Sequence, residues 1–270
     1  MTIAMSLGVS TPCVPRRQIE RSAGRRIFIF GCARSGTTLL LNLFRAFADV
    51  TVWDGEHCIN TLATDPGDGI IVAKRIRTCA THLNQDTAGF RDVWIIDILR
   101  DPRDVVTSEV DGRFYCDFSR WRRDVLTRQQ LAGRHLRLLQ LRYEELVADP
   151  NQAQRDLADM LGLSVDRPFT AFPAMVPADL SHTSVDDLSG VRAIDSRGIG
   201  RWASDPRRRE RVDAQLRHYP VMEPMLRWAG YPPTHGLHDE YERSLRSLGD
   251  EEAQETRVGT DRQRDLNSAQ

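Results

Sequence analysis

The sequence has little of what marks several common classes of protein. Its 37 basic and 38 acidic residues give a formal net charge of −1, so it lacks the basic excess that attracts a nucleic-acid backbone. No apolar run approaches the roughly 20 residues needed to cross a bilayer. Lysine is nearly absent, since Lys74 is the only basic residue that is not arginine. We expect no nucleic-acid partner and no integral membrane segment, and any anion site must be local.

The cysteines also lack the patterns that indicate disulfide frameworks or metal sites. They form no C-x-x-C pair, show no ligand spacing with histidine and are odd in number: Cys13, Cys32, Cys58, Cys79 and Cys116. The N-terminal segment has no basic region ahead of its apolar stretch, as a signal peptide would have. These absences predict a cytoplasmic protein.

Strand-like and helix-like patterns alternate along the 270 residues. Short apolar and β-branched runs predict strands at 26–31, 50–53, 70–73, 93–99 and 138–142. Helical patterns cover 37–48, 150–161, 206–217 and 221–228, and another helix opens at Asp101. Near-continuous apolar strands separated by helices are typical of a parallel sheet covered on both faces. The predicted fold class is α/β, with three layers, a central mostly parallel sheet and a P-loop-like strand-loop-helix.

The two ends of the chain differ in composition from its middle. Residues 234–270 are polar and charged, with too few apolar side chains to pack against a core. We predict a flexible N-terminal segment at 1–24, an α/β domain at 25–233 and a disordered tail at 234–270.

The first predicted strand leads into a segment rich in anion-binding groups, GCARSGTT at 31–38. Its two glycines, Gly31 and Gly36, have the spacing of the phosphate-binding loop G-x-x-x-x-G-K-[ST], but Thr37 stands where that motif has lysine. A strand, a turn and a helix start direct backbone N–H groups at one point. Arg34 and three hydroxyl residues add side-chain donors. The segment therefore predicts an anion site, and the missing lysine argues against the triphosphate of ATP or GTP as its ligand.

A second segment, LRDPRDVVTSE, follows the buried strand at 93–99. Arg100 falls at the carboxyl end of that strand, where ligands collect in open parallel sheets. Asp101 is a natural N-cap and Pro102 suits the first helical position. We expect Ser108 two turns along this helix, on the same side as Asp101.

The string ARSGTTLLLNLF closely resembles the phosphosulfate loop of the sulfotransferases that use 3′-phosphoadenosine 5′-phosphosulfate (PAPS). The resemblance implies that the loop binds the sulfonated end of that donor and needs no metal ion. The carried-over residues are Arg34, Ser35, Gly36, Thr37 and Thr38. In the family a strand-end arginine and a serine eight residues later clamp the 3′-phosphate, and Arg100 and Ser108 have this spacing.

Two further segments resemble the same family less closely. LQLRYEELVADP is similar to the segment that carries the tyrosine near the adenine, which implies that Tyr143 contacts the base. DSRGIGRW is similar to the late loop that closes over the 3′-phosphate, which implies roles for Arg197 and Gly198. The lysine that usually accompanies the arginine in that loop is missing here.

Transfer to a hydroxyl requires a general base on the acceptor side and cations on the leaving-group side. The resemblance favours Glu56 in VWDGEHC as the base, because several family members use a glutamate in a similar Gly-Glu position. His57 is the alternative, since its side chain has the more suitable intrinsic pKa. Arg34 serves the leaving group, and Lys74, at a predicted strand end, would neutralise the sulfuryl group in transit.

Other functions remain open from the sequence alone. A small-molecule kinase with a degenerate P-loop, or a nucleotide-binding scaffold without catalysis, would share the first loop. The resemblance implies a sugar, lipid or small-molecule acceptor, bound by segments near 54–68, 111–135 and 166–196, but their aromatic residues do not distinguish among these.

Overall fold

The computed structural model describes residues 24–57, 69–75, 93–132 and 137–234. Its strands are β1 (Arg26–Gly31), β2 (Val50–Glu56), β3 (Ile70–Arg75), β4 (Val93–Leu99), β5 (Glu109–Val110), β6 (Arg113–Phe114) and β7 (Leu138–Arg142). The α-helices are α1 (Thr37–Leu43), α2 (Pro102–Val106), α3 (Phe118–Ala132), α4 (Tyr143–Ala148), α5 (Pro150–Leu161), α6 (Phe172–Met175), α7 (His182–Leu188), α8 (Arg201–Ser204), α9 (Pro206–His218) and α10 (Met222–Trp228). Short 3₁₀ turns cover Phe44–Ala46, Phe169–Ala171 and Ser196–Gly198.

Five of these strands form one sheet in the order β2-β3-β1-β4-β7, and every neighbouring pair is parallel. The order places β1 at the centre, flanked by β3 and β4. All carboxyl ends therefore meet at one edge of the sheet, which is where the loop after β1 begins. The predicted α/β class with a parallel central sheet is confirmed.

The core lies on both faces of this sheet, because all six residues of β1 are buried. Ile27 and Ile29 pack into a cluster that includes Leu40 of α1 and Leu157 of α5. The alternate side chains of β1, Phe28 and Phe30, enter a second cluster with Leu131 of α3. This alternation follows from the two-residue period of a strand, and it gives the three layers expected from continuous apolar strands.

Strand β2 is longer than its sequence pattern predicts. It continues to Glu56, and its register with β3 shifts between the pairs Val52↔Val72 and Glu56↔Lys74. Gly55 has a φ of 83° within this irregular stretch. The bulge absorbs extra residues in β2 and so brings Glu56 opposite Lys74.

Helix α2 is shorter than expected, which corrects the prediction for Ser108. Asp101 caps the helix as predicted, because its side chain accepts a hydrogen bond from the N–H of Arg103 at 2.8 Å. The helix ends at Val106, with Thr107 as its C-cap. Ser108 lies beyond the helix, just before β5. The α1 helix also ends early, at Leu43, and continues only as a 3₁₀ turn.

The chain divides into two compact units, Met1–Met222 and Glu223–Gln270. In the second unit the structure describes residues 223–234, where the N–H of Thr234 donates to the Glu223 carboxylate at 2.8 Å. The predicted segment boundaries at 24 and 233 stay predictions. Among the described helices, none has the length and apolar character to span a bilayer.

Candidate functional site

The loop after β1 is shaped by three residues in unusual backbone conformations. Gly31, Arg34 and Gly36 have φ values of 156°, 70° and 95°. A Cβ atom on Gly36 would lie 2.6 Å from Cδ2 of Tyr143, so only glycine fits there without a shift of the tyrosine ring. The loop is thereby packed directly against the end of β7, where Tyr143 begins α4.

Arg100 joins the loop to two segments far away in the sequence. Its guanidinium donates to the carbonyl of Arg34 at 2.8 Å and to the carbonyl of Gly198 at 2.7 Å. The same group lies 4.2 Å from the ring centroid of Tyr143, a cation–π distance. Four residues that the resemblance selects thus meet at one point on the sheet edge.

Ser108 reaches the same region although it lies outside the helix. Its hydroxyl accepts a hydrogen bond from Nε of Arg34 at 2.9 Å. The side chain of Arg34 therefore bridges from the loop to the segment after α2. Ser108 and Arg100 both line the cavity described below.

Lys74 and Glu56 form an ion pair at the ends of β3 and β2. Lys74 is 2% exposed, and its Nζ lies 3.3 Å from Oε1 of Glu56. The sheet register explains this contact, because the two residues are paired across the strands. Lys74 Nζ also lies 3.7 Å from Oδ2 of Asp187.

Asp187 is a residue of the site that the sequence pattern missed. It lies on α7, and its Oδ2 accepts a hydrogen bond from Oγ1 of Thr38 at 2.9 Å. Its Oδ1 is 3.5 Å from Nη1 of Arg34. Nothing in the string SVDDLSG resembles a motif, and Asp187 is 149 residues from Thr38, so only the tertiary fold brings it to the loop.

The late loop is held by Asp104, another residue without a predicted site role. The Asp104 carboxylate accepts from the N–H groups of Gly200 at 2.7 Å and Trp202 at 3.2 Å. Burial raises the pKa of Asp104, and the nearby Arg100 opposes this effect. Asp104 thus fixes the segment that supplies Gly198 to the cavity.

Arg197 and His57 lie less favourably than the resemblance implies. The Arg197 side chain is 80% exposed and pairs with Asp195 at 2.6 Å, and it does not line the cavity, whereas the neighbouring Gly198 does. The Nε2 atom of His57 lies 2.7 Å from the carbonyl of Asp54. This contact requires a proton on Nε2, so that nitrogen is engaged as a donor. The roles of both residues stay predictions.

Two buried thiols support the loop from the sheet side. Cys32 follows Gly31, and its thiol forms a hydrogen bond with Cys116, which together with burial raises the pKa of Cys32. The same bond lowers the pKa of Cys116. Cys116 also contacts the carbonyl of Ala33 at 3.6 Å, which ties the loop to the segment before α3.

A cavity of about 420 Å³ lies at the carboxyl edge of the sheet, beside the loop after β1. Eight of the residues predicted to bind PAPS line its wall: Arg34, Gly36, Thr37, Thr38, Arg100, Ser108, Tyr143 and Gly198. Asp187, Arg201 and Arg208, for which the sequence predicted no role, line it as well. Lys74 and Glu56 are not part of this wall, although Lys74 contacts Asp187. The cavity combines several guanidinium groups and hydroxyls, which suits a ligand with more than one anionic group.

Two buried polar atoms beside the loop have no hydrogen-bond partner among the described residues. They are Oγ of Ser35 and Nε of Arg100. Of these two residues, Arg100 lines the cavity and Ser35 does not. Within the described parts of the chain, no group of three or more histidine, cysteine or acidic side chains is arranged to hold a metal ion.

Comparisons with known proteins identify the fold. No protein-family model and no curated protein matches the sequence. Among solved structures, the sulfotransferase domain of the Synechococcus PCC 7002 olefin synthase is similar to this chain at 17% identity, with a TM-score of 0.54. The match covers 69% of this chain and 90% of that one. The arrangement is thus an α/β domain with a loop rich in hydrogen-bond donors at the edge of a parallel sheet.

The similarity to the olefin synthase domain defines the kind of α/β fold more narrowly. The chain has the sulfotransferase fold. A sulfotransferase domain from the curacin biosynthetic pathway matches with 15% identity and a TM-score of 0.48, over 70% of this chain and 96% of that one. A mouse sulfotransferase complexed with PAP matches with 14% identity and a TM-score of 0.42, over 76% and 89%.

Proposed function

We propose that this protein is a sulfotransferase that moves the sulfuryl group of PAPS to a hydroxyl group of an acceptor. The sulfotransferase fold supports the reaction class. The observation that carries the choice of donor is the position of Arg100, whose guanidinium is bonded to the Arg34 loop, stacked on Tyr143 and bonded to Gly198. These groups can hold one nucleotide at its two anionic ends.

PAPS, when bound, supplies an activated sulfuryl group and a good leaving group. Arg34 and Thr38 would hold its sulfonated end through charge-assisted hydrogen bonds. Arg100 and Ser108 would hold the 3′-phosphate, with Tyr143 beside the adenine. The loop residues Ser35, Gly36 and Thr37 would complete the cradle, and Arg34 would supply the cation on the leaving-group side.

Glu56 is the residue that we assign to proton removal from the acceptor hydroxyl. Its carboxylate lies beside Lys74, at 3.3 Å, outside the wall of the nucleotide cavity. A carboxylate oxygen can accept the hydroxyl proton as the oxygen attacks sulfur, while Lys74 stabilises negative charge on the transferring group. His57 remains the alternative base through Nδ1, which is the acceptor nitrogen of the neutral ring when Nε2 carries the proton.

The proposal is tested by transfer of radiolabelled sulfate from PAPS to a panel of sugar, lipid and phenolic hydroxyl acceptors. We expect a labelled product with at least one acceptor class, and tighter binding of PAP, the desulfonated donor, than of Mg-ATP. A protein that binds Mg-ATP more tightly than PAP and phosphorylates an acceptor would instead be the kinase. Binding of PAP without transfer to any acceptor would favour the scaffold.

A further inference from the structure

Helix α7 places a carboxylate among the donors that the loop offers to an anion. Asp187 accepts from the Thr38 hydroxyl at 2.9 Å, lies 3.5 Å from Nη1 of Arg34 and lies 3.7 Å from Nζ of Lys74. Thr38, Arg34 and Lys74 are the side chains that the proposed function assigns to the sulfonated end of PAPS and its sulfuryl group. The Thr38 hydroxyl has a single proton, so the Asp187 carboxylate and an anionic ligand group cannot both accept from it.

The local charge leads to the same conclusion. Arg34 and Lys74 bring two positive charges, and Glu56 and Asp187 bring two negative charges within ion-pair distance of them. An anion approaching the loop therefore meets a cluster without net positive charge. Withdrawal of Asp187 leaves a net charge of one positive unit on the loop side, which favours an incoming anion.

The helix that carries Asp187 is anchored to the same edge of the sheet. On β2, Asp54 accepts from the N–H of Ser181 at 3.0 Å and from the hydroxyl of Ser184 at 2.5 Å. The Asp187 carbonyl also accepts from Nη1 of Arg34 at 3.3 Å. A tethered group competes at a high effective concentration. The Asp187 side chain is nevertheless 34% exposed, so it can leave the loop for solvent.

We propose that Asp187 is an internal competitor for the anion site of the loop. Any ligand that places an anionic group on Arg34 and Thr38 must first displace the Asp187 carboxylate, whereas a ligand that binds only near Arg100 and Tyr143 need not. Small inorganic anions, which have no second anchor, are thereby kept off the loop, and a nucleotide with a second anionic group on Arg100 enters. The inference rests on the proposed function and deepens it, because it concerns the regulation of the same site.

A single displacement step has a sharp quantitative consequence. In the open state the Asp187 carboxylate has left the loop. The apparent affinity of a ligand is its affinity for the open state multiplied by the fraction of protein in that state. This fraction is the same for every ligand that needs the open state. Removing the competitor should therefore strengthen binding of all loop-binding anions by one common factor. Ligands that leave the loop empty should be unaffected.

The test compares wild-type protein with Asp187→Asn by calorimetric titration of three probes: inorganic pyrophosphate, PAP and adenosine 3′-phosphate. Pyrophosphate has two linked tetrahedral groups like the phosphosulfate, and adenosine 3′-phosphate lacks the group that reaches the loop. We expect pyrophosphate and PAP to bind roughly tenfold more tightly to the variant, by equal factors, and adenosine 3′-phosphate to bind equally to both proteins. Asp187→Ser should act in the same direction and guards against a folding defect of the first variant.

Asp186→Asn is the matched control, because it removes the same charge from the adjacent position of α7, which also lines the cavity but makes none of the three contacts given above for Asp187. It should change the affinity for pyrophosphate by less than about threefold, as a screened charge outside the ion-pair cluster does. Equal pyrophosphate affinities in the wild type and both Asp187 variants would overturn the inference, as would equal gains for adenosine 3′-phosphate. If PAP binds wild-type protein no better than pyrophosphate does, the proposed donor is wrong, while the pyrophosphate titration still decides the role of Asp187.

Discussion

Glu56 and Lys74 meet because a strand irregularity shifts one side chain by two positions. The sequence identified Glu56 from the Gly-Glu pair and Lys74 as the only lysine, but it predicted that β2 ends at residue 53. The contact at 3.3 Å depends on the continuation of β2 past its bulge. Bulges near active sites commonly redirect a side chain in this way. No residue pattern in VTVWDGE predicts this bulge.

Glu56→Gln tests the assigned base at the scale of one atom. The amide keeps the size of the side chain but cannot accept the hydroxyl proton as a carboxylate does. We expect the rate of sulfate transfer to fall by about 10²- to 10⁴-fold, while the affinity for PAP does not fall, because the substitution removes a negative charge from the cluster around Lys74. The measurement is single-turnover transfer to an acceptor from the screen, alongside calorimetry with PAP.

His57→Asn provides the comparison for this substitution. It should leave the transfer rate within a small factor, because the proton transfer is assigned to Glu56 and the contact given for His57 is the one from Nε2 to the carbonyl of Asp54. The opposite pattern, a large loss in His57→Asn with activity retained in Glu56→Gln, would reassign the base to His57.

At the scale of elements, the segment from β1 through the following loop to α1 was the most predictable part of the chain. A fully buried strand, two glycines at fixed spacing and a helical apolar pattern are all local signals, and β1 and the start of α1 agree with them. The end of α2 was not predictable in the same way. Val106, Thr107 and Ser108 carry no helix-stop signal such as glycine or proline, yet the helix ends at Val106.

Gly36→Ala tests the packing between this loop and α4. The new methyl group would lie 2.6 Å from the Tyr143 ring, at a backbone φ of 95°. We expect a loss of unfolding free energy of about 2 to 4 kcal/mol, from backbone strain and the clash together, and weaker PAP binding because Arg100 stacks on the displaced ring. Urea denaturation and calorimetry measure the two effects.

Gly190→Ala separates strain from clash. Gly190 also has a positive φ, 85°, but among the described residues no atom beyond its chain neighbours lies within 4 Å of the position that its new methyl group would occupy. The substitution should therefore cost only about 1 kcal/mol. Equal losses of unfolding free energy for the two substitutions would show that the contact between Gly36 and Tyr143 does not limit which residue fits at position 36.

Strand β4 carries a buried acid that makes the stability of the sheet depend on pH. Burial raises the pKa of Asp97 from 3.8 to about 7, against the attraction of Arg128. One carboxylate oxygen, Oδ2, lies 3.4 Å from Nε of Arg128 but has no hydrogen-bond partner among the described residues. The folded state thus holds the proton more tightly than the unfolded state, so the contribution of Asp97 to stability is greatest below pH 4 and is lost as the pH rises toward 7.

Asp97→Asn should weaken this pH dependence, because an amide carries no charge at any pH. We expect the wild type to lose on the order of 3 kcal/mol of unfolding free energy between pH 5 and pH 8 relative to the variant. Urea midpoints at the two pH values measure the difference. Wild type and variant with the same change from pH 5 to pH 8 would contradict the raised pKa of Asp97.

At the scale of the whole sheet, the site depends on contacts between residues that are far apart in the sequence. Arg34, Arg100 and Gly198 meet because β1 and β4 are neighbours and the late loop folds back over their ends. The sequence predicted that the first two would share an edge, since parallel strands end on one side. It could not predict Asp187, Arg201 or Arg208, because in a chain with abundant arginine and aspartate no local pattern marks the few that reach the cavity.

The central claim is that two separate corners of the sheet hold opposite ends of one adenine nucleotide, and Arg100→Ala tests it most directly. PAP and adenosine 5′-phosphate differ only in the 3′-phosphate that Arg100 is assigned to hold. Calorimetric titration of both nucleotides into wild-type and Arg100→Ala protein should show a loss of PAP affinity of about 10- to 100-fold, as expected for a charge-assisted contact. Adenosine 5′-phosphate should lose much less. Equal losses for the two nucleotides would contradict the claim.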